Sequence, residues 1–135
     1  MSVLITGGAG FVGSFTARLC AESGLDVVVL DNLSTGNRDH SRWGTFYGAD
    51  VRHVQTVADV IASRDITTVV HLAASANVSE SIANPAQYYS NNVSGAFALF
   101  DKSARSRVAS ASPGPPSLLV LPLANSSRDS GLDVN

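Results

Sequence analysis

The chain of 135 residues contains one cysteine, one methionine and one tryptophan. The lone Cys20 excludes an internal disulfide, and its place in a helical apolar pattern reads as a small buried hydrophobe in a reducing compartment. Charge is scarce, at 15% of residues with a net −2. That balance lacks the basic face that nucleic-acid binding requires. Long hydrophobic runs are missing too. The stretch Leu118 to Leu123 is interrupted by Pro122 and is far too short to cross a bilayer. Met1 to Gly7 enters a strand pattern at once, with neither a charged leader nor an apolar leader core. The expectation is a soluble, cytoplasmic protein with no membrane or nucleic-acid partner and no metal site. Hydrophobic residues make up 44% of the chain, which is enough for a packed globular core.

The pattern that is present alternates strand with helix. Val3-Leu4-Ile5-Thr6 is a short apolar run of the kind found in strands covered on both faces. A glycine cluster follows, then a helical spacing of Val12, Phe15, Thr16 and Leu19 that ends at Ser23-Gly24. Asp26 to Leu30 is a second buried strand stopping at Asp31, and Phe46-Tyr47 before Gly48 indicates a short third. Val54, Val57, Ala58, Ile61 and Ala62 share one helix face, and Thr67 to Leu72 is a fourth strand. Pro85 suits the first position of a further helix with Asn84 as its N-cap. The apolar face of that helix would run through Tyr88, Tyr89, Val93, Ala96, Phe97 and Phe100. Such alternation predicts an α/β, doubly wound parallel sheet with spatial order 3-2-1-4.

The register changes near Ser103. Pro113, Pro115, Pro116 and Pro122 all fall beyond it, so residues 104–135 read as a largely irregular Pro/Ser-rich tail after a domain over 1–103. Only Ser117 to Leu123 could add a fifth strand, at an edge or an end because of Pro122.

The chemistry sits where the first strand turns into the first helix. In Thr6-Gly7-Gly8-Ala9-Gly10-Phe11-Val12-Gly13, glycines 7, 10 and 13 permit a tight turn, close approach to a pyrophosphate and close helix packing. The helix N-terminus offers unpaired N–H groups and partial positive charge to phosphates, so Gly7, Gly10, Phe11, Val12 and Gly13 are candidate cofactor contacts. Asp31 ends the second strand, where an acid accepts ribose hydroxyls. This constellation is a Rossmann dinucleotide site. Because a carboxylate repels a 2′-phosphate and Asn32 rather than arginine follows it, the cofactor is expected to be NAD.

The Gly-x-x-Gly-x-x-Gly spacing resembles the extended short-chain dehydrogenase/reductase family. Within it, Asp31-Asn32-Leu33-Ser34-Thr35-Gly36, His71-Leu72-Ala73-Ala74, Val78-x-Glu80-Ser81, Pro85, Tyr88-Tyr89 and Asn91-Asn92-Val93-x-Gly95 are similar to the UDP-glucose 4-epimerases. The likeness covers about residues 2–102. It implies that Asn32 joins the cofactor contacts, that Asp50 and Val51 lie against adenine, and that Leu72, Ala73 and Ala74 line the pyrophosphate and nicotinamide-side ribose. Asn92 matches a polar residue near the cofactor. The residues themselves also allow Asp50 to be a turn or cap residue and Asn92 to be a solvated helix position, and His71, Tyr88 and Tyr89 read as packing residues. Ala76 stands where many epimerases place a lysine or other polar contact.

The resemblance further implies a nucleotide-sugar substrate, a homodimer, and a Tyr-x-x-x-Lys pair beyond a fifth strand. Tyr47, Tyr88 and Tyr89 are the tyrosines and Lys102 the single lysine, so no such pair is present and no catalytic residue is assigned. Relative to the family, the last strands and the substrate domain are absent from the expected fold. Three readings are weighed: the NAD-binding part of a UDP-glucose 4-epimerase-like enzyme, without turnover of its own; a part of another nucleotide-sugar epimerase or dehydratase; and a non-catalytic NAD-binding module.

Overall fold

The computed structural model describes residues 1–75, 82–97, 99, 101 and 117–120. The Val78–Ser81 motif, Ala76, Phe100, Lys102 and most of the proline-bearing tail lie outside them. Five parallel strands form one sheet in the order β3-β2-β1-β4-β5. The strands are β1 (Ser2–Thr6), β2 (Asp26–Asp31), β3 (Thr45–Gly48), β4 (Ile66–His71) and β5 (Ser117–Val120).

Both faces of the central strands are covered, which is why their sequences are continuous apolar runs rather than alternating ones. Leu4, Val28, Leu30 and Val69 point to one side, where they meet Val57, Val60 and Ile61 of α2 (Val54–Ser63) and Leu99. Val3, Ile5, Val27, Val29, Val70 and Leu72 point to the other, under Ala17 of α1 (Phe11–Glu22). Parallel register sets Leu4 beside Val28 and Val69, so the middle of β1 has apolar neighbours on both flanks.

The fifth strand falls within Ser117 to Leu123, the stretch of the tail read as able to add one. A sheet ending at the fourth strand would leave Val69 and Val70 on an unprotected edge; instead β5 pairs with β4 from Thr68↔Ser117 to His71↔Val120. An irregular tail therefore gives way at Ser117–Val120, where Leu118-Leu119-Val120 precede Pro122 and every residue retains its N–H for the ladder.

The helix faces need correction. In α1 the buried residues are Gly13 and Ala17, whereas Val12, Phe15 and Leu19 are exposed. A close-packed helix needs small residues against the sheet, and the glycine turn brings α1 close. In α2, Val60 rather than Ala62 completes the buried face with Val57 and Ile61. A short helix, α3 (Pro85–Tyr89), opens on Asn84, whose side-chain oxygen accepts from the Gln87 N–H at 3.4 Å, and it runs into a π-helical turn over Ser90–Ser94. Tyr89, Val93 and Phe97 of this segment are exposed, and among the described residues Leu99 and Gly95 are its buried ones.

Candidate functional site

The C-terminal ends of β1, β2 and β4 open into a cavity of about 530 Å³. This is the position at which ligands bind in open α/β sheets. Its floor is the turn from β1 into α1. Gly7 adopts φ +73, and a Cβ there would lie 2.7 Å from the Ala73 nitrogen. A Cβ on Gly13 would lie 2.1 Å from the Gly7 carbonyl oxygen. Only glycine lets strand, turn and helix approach this closely. Gly10 caps α1 without a side-chain bond, the first turn carries no acidic residue of its own, and Gly10 to Gly13 line the cavity.

Asp31 stands at the wall on the end of β2. Its carboxylate accepts from the Ala9 N–H at 2.9 Å and from the Leu33 N–H at 2.8 Å, which ties the glycine turn to the end of the second strand. Leu33 holds φ 58, a conformation costing a non-glycine residue about 1 kcal/mol or more, and Ser34, Thr35 and Gly36 after it line the cavity. A Cβ on Gly36 would be 2.9 Å from the Ala9 Cβ and 3.1 Å from the Asp31 oxygen.

Asp50 and Val51 divide. Val51 lines the cavity, while the Asp50 carboxylate is bonded to Asn32 and Arg52, which line it. The Asp50 carboxylate accepts from the Arg52 backbone N–H, from Arg52 Nε and Nη2 at 2.9 and 2.7 Å, and from Asn32 Nδ2 at 2.9 Å. The Arg52 guanidinium bound to it holds the Asp50 carboxyl well below the usual carboxylate range, against the opposing effect of burial. Asp50 is thus the turn residue that fixes Asn32 and Arg52, both of which reach the cavity.

Along the β4 side the wall is Leu72, Ala73, Ala74 and Ser75. Leu72 N–H donates to the Thr6 carbonyl at 3.0 Å, and Ala73 N–H to Thr6 Oγ1 at 3.4 Å. The same hydroxyl lies 2.7 Å from His71 Nδ1, and burial pushes the His71 imidazole pKa down, so the neutral ring is the form the core holds. Asn92 does not line the cavity; its amide bonds the main chain of Ser75 instead.

Of the residues singled out from sequence, Gly7, Gly10, Phe11, Val12, Gly13, Asp31, Asn32, Val51, Leu72, Ala73 and Ala74 therefore converge on one cavity. Asp50 and Asn92 stand behind it. Ser34, Thr35, Gly36, Arg52, Ser75 and Gln87 also line it and were not assigned. The first three lay within a motif already recognised, and Arg52 follows Asp50 at the spacing of a carboxylate-capped turn. Among the described residues no group of three or more His, Cys, Asp or Glu could hold a metal, and no helix is long and apolar enough to cross a membrane.

A parallel sheet, a glycine turn into a helix N-terminus and an acid on the second strand define a dinucleotide-binding Rossmann fold. The chain belongs to the NAD dependent epimerase/dehydratase family, which matches residues 3–112 and so runs past the boundary read near Ser103. It is 42% identical over 102 residues to the UDP-glucose 4-epimerase of Halalkalibacterium halodurans, covering 76% of this chain and 30% of that protein. The UDP-glucose 4-epimerase of Brucella ovis, solved in complex with NAD, superposes with a TM-score of 0.76 at 44% identity over 78% of this chain and 33% of that one. The Thermotoga maritima enzyme, solved with UDP-glucose, gives 0.76 at 34% identity over 78% and 35%. The chain spans about a third of the length of these relatives.

Proposed function

We propose that this chain is the NAD-binding portion of an enzyme that interconverts UDP-glucose and UDP-galactose. The observation that carries the reading is the Ala9 N–H to Asp31 bond, which sets an anion-accepting helix end and a ribose-accepting carboxylate on one cavity. The amides of Phe11 to Gly13 would take the pyrophosphate, with Gly10 lining its approach, Asp31 the adenosine ribose, Val51 and Asn32 the adenine side, and Leu72 to Ala74 the nicotinamide side. NAD, when bound, supplies a hydride acceptor for the sugar. The protein's part is orientation: a buried carboxylate at the ribose excludes a 2′-phosphate by like charge. The family supports a nucleotide-sugar substrate, and the lone Cys20 supports a cytoplasmic location. A paired assembly is supported by the exposed ridge of Tyr89, Val93 and Phe97.

A general base is worth about 10²–10⁴-fold in rate, and no tyrosine in this sequence stands four residues before Lys102. The chain by itself is therefore expected not to turn over substrate. Calorimetry is expected to show tighter binding of NAD than NADP; equal affinities would refute the cofactor assignment. Incubation with UDP-galactose and NAD is expected to yield no UDP-glucose, and sustained, protein-proportional formation would refute the absence of a base.

A further inference from the structure

The wall formed by Leu72 to Ser75 is held at both ends. At its start Thr6 accepts the Leu72 and Ala73 N–H groups through its carbonyl and hydroxyl. At its end the Asn92 side chain forms two bonds to one residue: Ser75 N–H donates to Asn92 Oδ1 at 2.8 Å, and Asn92 Nδ2 donates to the Ser75 carbonyl at 3.0 Å. A primary amide used this way imitates a neighbouring strand, satisfying one residue's donor and acceptor together. Leu72 makes the last main-chain bond to β1, and Ala73 to Ser75 lie beyond the ladder, so this is where such a substitute is needed.

The helix that carries Asn92 is modified at the same place. Ser90–Ser94 is a π-helical turn, a rare feature that re-aims side chains and concentrates at functional positions. One turn on, Gly95 brings the helix onto the opposite wall: a Cβ there would lie 3.2 Å from Val51 Cγ2 and 3.5 Å from Arg52 Cγ. A single segment thus reaches Ser75 on one side of the cavity and Val51 on the other.

We infer that Asn92 is a positioning residue, not a cofactor contact: its amide clamps Ser75 and so fixes the Leu72–Ser75 wall for the nicotinamide half of the dinucleotide. This rests on the NAD reading above. Binding by the full chain tests it, with NAD and AMP as ligands, since AMP carries only the adenosine half. Asn92→Ala is expected to weaken NAD about tenfold, the scale of one to two lost neutral hydrogen bonds, and to leave AMP affinity within about twofold. Asn92→Asp adds a signature. Ionised, it faces the Ser75 carbonyl with no donor; protonated, it regains one. Its deficit in NAD affinity relative to wild type is therefore expected to narrow as pH falls from about 7 to about 4, where an aspartate ordinarily gains its proton. Unchanged NAD affinity in Asn92→Ala, equal losses of NAD and AMP, or a pH-independent Asn92→Asp deficit would each overturn the clamp while wild-type NAD binding stands. Wild-type chain that binds neither ligand would overturn the NAD reading and the clamp with it.

Discussion

Gly13→Ala separates helix propensity from packing because the two predict opposite signs. Gly13 lies in the first turn of α1, and an interior Gly→Ala change in a helix ordinarily gains about 1 kcal/mol. In this structure the added Cβ would stand 2.1 Å from the Gly7 oxygen, 2.7 Å from the Gly8 Cα and 2.8 Å from the Gly7 carbonyl carbon. All three are backbone atoms, so no side chain can rotate aside. Relief to the 3.4 Å of ordinary contact requires α1 to move more than 1 Å from the turn. Gly13 and Ala17 are the two buried residues of α1, so that movement opens the interface over Val29 and Ile5. Overpacking costs about 1–3 kcal/mol and more where the backbone must shift. The propensity gain does not cover that, and a net loss of about 2 kcal/mol is expected. With a urea m-value of about 1–3 kcal/mol/M, the unfolding midpoint falls by about 1 M. Gly24→Ala is the control: at φ +80 with nothing within 4 Å, it carries only the left-handed backbone cost of about 1–2 kcal/mol. Urea melts followed by circular dichroism decide between the two effects. A Gly13→Ala midpoint at or above wild type would refute the packing argument.

Asp31→Ala is expected to weaken NAD binding by about tenfold while harming NADP less, because the lost carboxylate both accepts ribose hydroxyls and repels a 2′-phosphate; calorimetry showing equal losses for both would count against Asp31 as the discriminating group. Asp50 titrates below its ordinary range in the folded chain, so its pairing stabilises the fold fully above about pH 4 and less as pH falls toward the depressed value. Arg52 is half-exposed, so Arg52→Ala is expected to cost no more than about 1 kcal/mol near neutrality. That difference from wild type is expected to shrink in denaturation curves below about pH 4, and a pH-independent difference would refute the pairing.

The strands were legible in sequence because a parallel sheet buried on both sides writes itself as uninterrupted Val, Leu and Ile between polar ends. Val27 to Leu30 is such a run, too short for a buried helix, and Asp31 after it marks where the strand reaches the cavity. The glycine turn was legible for a different reason: close approach of backbone to backbone admits one residue type, so glycines 7 and 13 record distances directly. Asp50 and Asn92 were less legible because residue type does not reveal direction. Both are polar, both lie within motifs that resemble cofactor contacts, and both spend their hydrogen bonds on the protein.

The helix faces show where periodicity stops being informative. Phe11, Phe15 and Leu19 recur at the interval of a buried stripe, and Phe11 and Phe15 touch at 5.1 Å, yet Phe15 and Leu19 are 54% and 63% exposed. The sheet takes the opposite side, through Gly13, Ala17 and in part Cys20 and Ala21. Tyr89, Val93 and Phe97 repeat the pattern four residues apart, with Gly95 and Leu99 facing inward. In both segments the exposed large apolar residues form one ridge and the inward side includes a glycine, with Leu99 the one large residue described on the inward side. The spacing of large apolar side chains therefore points along the ridge. Closeness to the sheet selects for smallness and points the other way. In a fold whose helix begins in a glycine turn, the small residues carry the better signal of what faces the core.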